Sequence, residues 1–118
     1  MAAKRVLYIC YDPTLLLNRE QLLLSKGFDV VTALGTDGLM AQSWLSEYDL
    51  VLVCDGASLD ERTAAIGWLR EHAPSLPIVA LCRPDEGPVQ ADYSVLPGDR
   101  NIWLNSVAEW MDRPKNTV

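Results

Sequence analysis

Three short apolar segments, each ending in a cysteine, constrain the fold of this chain more than any other feature. They are VLYIC, LVLVC and PIVALC, and they end at Cys10, Cys54 and Cys82. Consecutive apolar residues over such a length are typical of a strand that is buried on both faces. Segments with helical spacing separate the three, and this alternation predicts βαβ units around a parallel sheet, with helices on both faces.

Start and stop signals for helices support this pattern. Asp12 precedes Pro13, which is the order of an N-cap acceptor and a first helical residue, and Gly27 predicts the end of that helix. Ser58 and Glu61 have the spacing of a capping box and predict the start of another helix. Strands are predicted at 5–10, 28–32, 50–54, 77–82 and 93–96, and helices at 13–26, 37–47, 58–73 and 100–112.

These elements predict one α/β domain with a flavodoxin-like, three-layer architecture and a five-stranded parallel sheet in the order 2-1-3-4-5. Residues 83–90 contain two prolines and one glycine, so the fourth helix is expected to be reduced or missing. The single domain is expected to span residues 1–118, with a core at 4–112 and a frayed tail at 113–118.

Charge and composition exclude several classes of function. The net charge of −6 argues against nonspecific binding to nucleic acid or to anionic membranes. No apolar stretch approaches the roughly 20 residues that a membrane span needs. Three cysteines without the spacing of a disulfide framework favour a reducing compartment, so we expect a cytoplasmic protein.

The three cysteines are predicted to converge, because the carboxyl ends of neighbouring parallel strands form the crevice where such sheets bind ligands. Three interpretations stay open. The thiols could act as small buried hydrophobic groups. Cys10 and Cys54, or Cys54 and Cys82, could form a redox-active pair, since adjacent strands lie about 4.8 Å apart. All three, with one outer ligand, could bind a soft metal ion.

Over residues 4–112 the chain resembles the receiver domains of two-component response regulators. The resemblance is strongest in RVLYICYDPTLLLNREQLLLSKGFDVVTA, EYDLVLVCD, LPIVALC and DYSVLP. In such receivers the first strand ends in acidic residues that bind Mg²⁺, and the third ends in the aspartate that accepts phosphate. The fourth strand ends in Thr or Ser and the fifth in Lys-Pro.

Neutral residues occupy most of these functional positions here. They are Cys10 and Tyr11 for the acidic pair, Cys54 for the phosphoacceptor, Cys82 for the Thr or Ser, and Leu96 for the Lys, which Pro97 still follows. Only Asp12 keeps a carboxylate, as a weak remnant of a metal ligand that also suits the helix cap. Thiols are poor ligands for Mg²⁺, and phosphoryl transfer needs cations around the transferred group.

The resemblance therefore implies a stand-alone, degenerate receiver that is not an enzyme, binds no cofactor and does not undergo normal aspartate phosphorylation. Its expected partner is another signalling protein in a bacterial phosphorelay, such as a histidine kinase or an output protein, or a second copy of the chain. The candidate interface consists of Tyr93, Trp103, Trp110 and Met111.

Two alternatives to this function remain. A phosphorylatable receiver would use Asp55 as a fallback acceptor, although a shift of one residue along a strand turns a side chain to the other face. A thiol-based redox or soft-metal sensor would use the three cysteines. The single histidine, His72, is predicted at the end of a helix and is assigned no phosphotransfer role.

Overall fold

A parallel five-stranded sheet forms the centre of the molecule. The computed structural model describes residues 4–42, 45–54, 58–81, 93–95, 104–105 and 107–109, with Ser46 and residues 93–95 described by their backbone alone. The strands follow the predicted order, β2-β1-β3-β4-β5, and every pair is parallel. They are β1 (Arg5–Cys10), β2 (Asp29–Leu34), β3 (Leu50–Val53), β4 (Ile78–Leu81) and β5 (Tyr93–Val95).

The described helices are α1 (Pro13–Ser25), α2 (Gly35–Met40) and α3 (Leu59–His72), with a 3₁₀ turn at Leu45–Glu47. Residues 104–105 and 107–109 are also helical, within the predicted last helix. The segment expected to lack a fourth helix and the tail lie outside the described residues. No helix in the described part of the chain has both the length and the apolar character to cross a membrane.

The prediction of one helix over 37–47 is wrong. Helix α2 ends at Met40, and the N–H of Gln42 donates to the carbonyl of Leu39 at 3.0 Å. The donor and acceptor of that bond are three residues apart, as in a 3₁₀ turn. It replaces the α-helical bond between residues four apart, so the helix ends in a tighter last turn.

Alternating side chains of the strands form two apolar layers. One face of the sheet packs against α2 and α3, and the other packs against α1, Leu104 and Val107. The first layer includes Leu7, Ile9, Val51, Val53, Ile78, Ala65, Ile66 and Leu69. The second layer includes Val6, Tyr8, Cys10, Leu52, Cys54, Leu81, Leu23, Leu104 and Val107. The three-layer prediction is confirmed.

Helix caps lie where the sequence predicts them. The Asp12 carboxylate accepts from the N–H groups of Thr14 at 2.9 Å and Leu15 at 3.3 Å. Gly27 adopts a φ of 88°, a left-handed conformation that favours glycine and ends α1. Ser58 and Glu61 form a reciprocal capping box at the start of α3.

Replacing Ser58 with alanine is expected to lower the free energy of unfolding by about 1 kcal/mol, because the N–H of Glu61 loses its cap acceptor. Urea denaturation followed by circular dichroism measures the change. Thr63→Ala, an exposed substitution inside the same helix, is the matched control and should change stability by less than about 0.5 kcal/mol. Equal effects of the two substitutions would contradict the capping role.

Candidate functional site

The ends of β1 and β3 bring two of the predicted thiols into direct contact. Ile9 lies opposite Val53 in the register, and the N–H of Cys54 donates to the carbonyl of Ile9 at 2.9 Å. The sulfur atoms of Cys10 and Cys54 lie 2.8 Å apart, and both residues are fully buried. Cys82 lies outside the described residues, so its distance from this pair stays a prediction.

Several groups favour the thiolate form of Cys10. Its hydrogen bond with Cys54 lowers the pKa of the Cys10 thiol well below its usual range, although burial opposes the shift. The Tyr8 hydroxyl and backbone hydrogen bonds at Asp12 and Tyr11 lower that pKa further. A cysteine with a lowered pKa is more reactive at neutral pH, because a larger fraction of it is present as the thiolate.

Tyr8 lies beside this pair on the same face of β1. Its hydroxyl is buried and makes no hydrogen bond of good geometry within the described part of the chain. Desolvation raises the pKa of Tyr8, and negative charge on the neighbouring cysteines raises it further. Tyr8 therefore stays neutral and supplies a weak dipole to Cys10 rather than a charge.

An arginine approaches the sulfur pair from α1. Arg19 Nη1 donates toward Cys54 Sγ at 3.9 Å. Arg19 lies on the inward stripe of α1 with Leu15, Leu16, Leu22 and Leu23, all of which pack in the second apolar layer. A cation this close to the sulfur of Cys54 favours the thiolate form of that cysteine.

A second arginine is fully buried on the other side of the sheet. Arg62, in α3, is 0% exposed, and its Nη1 donates to the carbonyl of Leu81 at 3.1 Å. Leu81 is the last residue of β4 and immediately precedes Cys82. Neither Arg19 nor Arg62 is among the site residues that the sequence predicts. The sequence signal that could have identified them is their position. Each arginine lies within the apolar stripe of its helix, at a spacing where a hydrophobic residue is expected.

Tyr11, at one of the predicted acidic positions, points to the opposite face from Cys10. Its hydroxyl lies 2.9 Å from Thr36 Oγ1 and donates to the carbonyl of Glu61 at 3.3 Å. Desolvation raises the pKa of Tyr11 above its ordinary value. Tyr11 thus joins the ends of β1, α2 and α3, and offers no negative charge for a metal ion.

Among the predicted site residues that the structure describes, Asp12 alone has a carboxylate. That carboxylate caps α1 by accepting from the N–H groups of its first turn. Among the residues with a described position, no three His, Cys, Asp or Glu side chains are grouped closely enough to hold a metal ion. These donors do not fit Mg²⁺, which requires several oxygen ligands in near-octahedral geometry.

Other predicted site residues lie outside the described residues: Asp55, Leu96, Trp103, Trp110 and Met111. Tyr93 begins β5, but its side chain is not described. His72 lies at the end of α3, as predicted, where its Nδ1 is 2.8 Å from the carbonyl of Trp68 and its ring stacks on that tryptophan.

Comparison with solved structures identifies the architecture. The non-phosphorylated HemR receiver domain from Leptospira biflexa matches with a TM-score of 0.78 and 15% identity, covering 98% of this chain and 99% of that one. A CheY-like receiver domain protein from Methanospirillum hungatei matches with a TM-score of 0.74 and 17% identity, over 94% and 95% of the two chains. The chain has the receiver-domain fold.

A third receiver, TrrA from Thermotoga maritima, was crystallised with Mg²⁺ and BeF. It matches with a TM-score of 0.74 and 19% identity, covering 92% of this chain and 98% of that one. No family model and no curated protein matches the sequence. The receiver fold is thus combined here with a sequence far from those of its structural neighbours.

Proposed function

We propose that this chain is a degenerate receiver that acts in two-component signalling by binding another signalling protein, without accepting a phosphoryl group on aspartate. The observation that carries the proposal is the contact between Cys10 and Cys54 at the ends of β1 and β3. In the receivers that the sequence resembles, carboxylates occupy these two positions. Here they hold a pair of fully buried thiols.

The chemistry of the described residues supports the loss of phosphorylation. Transfer of a phosphoryl group to a carboxylate needs a metal ion and cations to offset the charge on the equatorial oxygens. Two thiols and one capping carboxylate are a poor set of ligands for Mg²⁺. Arg19 supplies positive charge, but it is directed at the sulfur of Cys54.

A module of this kind has to act through its surface. The residues proposed to meet a histidine kinase, an output protein or a second copy of the chain are Tyr93, Trp103, Trp110 and Met111. Because the proposed binding does not depend on phosphorylation, the affinity for such a partner should be the same with and without Mg²⁺ and a phosphodonor.

Incubation with Mg²⁺ and acetyl phosphate, followed by intact mass spectrometry, tests the proposal. We expect the mass to stay unchanged while a phosphorylatable receiver domain, treated in parallel, gains one phosphoryl group. Gain of that group by this chain would overturn the proposal. The Asp55→Asn variant would then show whether the alternative acceptor is responsible.

A further inference from the structure

We propose that Cys10 and Cys54 are a redox modification site, which a hydroperoxide converts into a reversible disulfide between β1 and β3. This inference goes beyond the proposed function, because it concerns oxidation of the two thiols and not the binding of a partner. A disulfide here would covalently join two neighbouring strands, β1 and β3, at their carboxyl ends, which is where receivers carry out their chemistry.

The backbone already places the two cysteines for a bond. Neighbouring strands are about 4.8 Å apart, within the range of Cα separations that disulfides span. The hydrogen bond from the Cys54 N–H to Ile9 fixes the register beside the sulfur atoms. With the sulfurs 2.8 Å apart, bond formation needs an approach of less than about 1 Å.

Nearby charge and hydrogen bonds distinguish this pair from buried cysteines that act only as small hydrophobic residues. Arg19 Nη1 is 3.9 Å from Cys54 Sγ, so it places positive charge beside the contacting sulfur pair and favours negative charge shared between the two sulfurs. The lowered pKa of the Cys10 thiol supports the same conclusion, because the thiolate is the form that attacks peroxides and disulfides.

The reaction proceeds in two displacements. The Cys10 thiolate attacks one peroxide oxygen, the O–O bond breaks, and the departing alkoxide takes a proton to leave as an alcohol, or as water from hydrogen peroxide. Cys54 sulfur then attacks the resulting sulfenic acid, the S–O bond breaks, and the hydroxyl group leaves as water with the Cys54 proton. Overall, two thiols are oxidised by two electrons and one peroxide is reduced.

Contact between the thiols also determines the product. Both cysteines are fully buried, so the oxidant reaches them only when the strand ends open, and reaction should be slower than at an exposed thiol. Once sulfenic acid forms on Cys10, Cys54 lies close enough to resolve it before a second peroxide arrives. The disulfide should therefore form in preference to the sulfinic acid, and a dithiol reductant should reverse it by exchange.

Treatment of the full, reduced chain with hydrogen peroxide tests this inference. We expect two of the three thiols to disappear, the intact mass to fall by two hydrogen atoms, and non-reducing peptide mapping to recover a Cys10–Cys54 cross-link. Dithiothreitol should restore both thiols. The cross-link closes over a sequence separation of 44 residues, so oxidised protein should also unfold at a higher urea concentration.

The matched control is Cys82→Ser, which keeps the proposed pair and should still form the cross-link. Cys10→Ser and Cys54→Ser should each abolish it, with circular dichroism used to check that the variants fold. A Cys54–Cys82 cross-link, sulfinic acid without any cross-link, or retention of all thiols by the folded wild-type and Cys82→Ser proteins would each overturn the inference.

Discussion

Replacement of Arg62 by alanine is expected to lower the free energy of unfolding by about 3 kcal/mol. The arginine is fully buried in the stripe of α3 that packs on the sheet, and its Nη1 donates to the carbonyl of Leu81. Alanine would remove that charged donor, deprive the end of β4 of a hydrogen bond and leave a cavity. Urea denaturation of the wild-type and variant proteins measures the loss.

Two control variants separate the causes. Arg62→Met keeps most of the side-chain volume but removes the donor, so its cost should lie between those of wild type and Arg62→Ala. Arg70→Ala changes a half-buried arginine in the same helix and should cost less than about 1 kcal/mol. If Arg62→Ala cost no more than Arg70→Ala, the buried guanidinium would not stabilise the junction between α3 and β4.

Local signals account for the parts of the fold that the sequence predicts. The run from Val6 to Cys10 is apolar on both faces, so only a central strand can bury it, and β1 spans Arg5–Cys10 as predicted. Asp12, Gly27 and Ser58 mark helix ends because each satisfies a backbone requirement within a few residues. The strand order follows from the alternation of these elements and from the handedness of their connections.

The contents of the site depend on long-range placement that periodicity cannot supply. Strand order predicts that Cys10 and Cys54 are neighbours, but the distance between their sulfurs depends on register and side-chain rotamers. Arg19 and Arg62 occupy helix positions that hydrophobic spacing assigns to the core. A pattern of apolar residues contains no information about the carbonyl or thiol that such a cation will contact.

The substitution Cys54→Asp, which places a carboxylate at the phosphoacceptor position, is expected to destabilise the protein rather than restore phosphorylation. The carboxylate would be fully buried beside Cys10, with Arg19 offsetting only part of the charge. Compared with the uncharged Cys54→Asn, we expect an additional loss of about 2 kcal/mol at pH 7.

The loss of stability in the Cys54→Asp variant should increase with pH. Burial raises the pKa of the new aspartate in the folded state, so its cost is small below the unfolded pKa of about 4 and grows as pH rises. Urea denaturation of both variants between about pH 4 and pH 7 measures it, because the unfolded carboxylate is half ionised near the lower limit and fully ionised before the upper one. Equal stability of the two variants at pH 7 would mean that Arg19 neutralises the carboxylate completely.

The same substitution should also reverse the shift at Cys10. In the wild-type protein the hydrogen bond with Cys54 is the main cause of the lowered pKa of the Cys10 thiol. An aspartate removes that thiol and adds a negative charge, so the pKa of Cys10 should rise and its alkylation at neutral pH should slow. Alkylation that is as fast in Cys54→Asp as in Cys54→Asn would show that the new carboxylate is protonated or turned away from Cys10. Because both effects arise from one buried contact, we expect that a single change at Cys54 will not create a magnesium and phosphate site in this receiver fold.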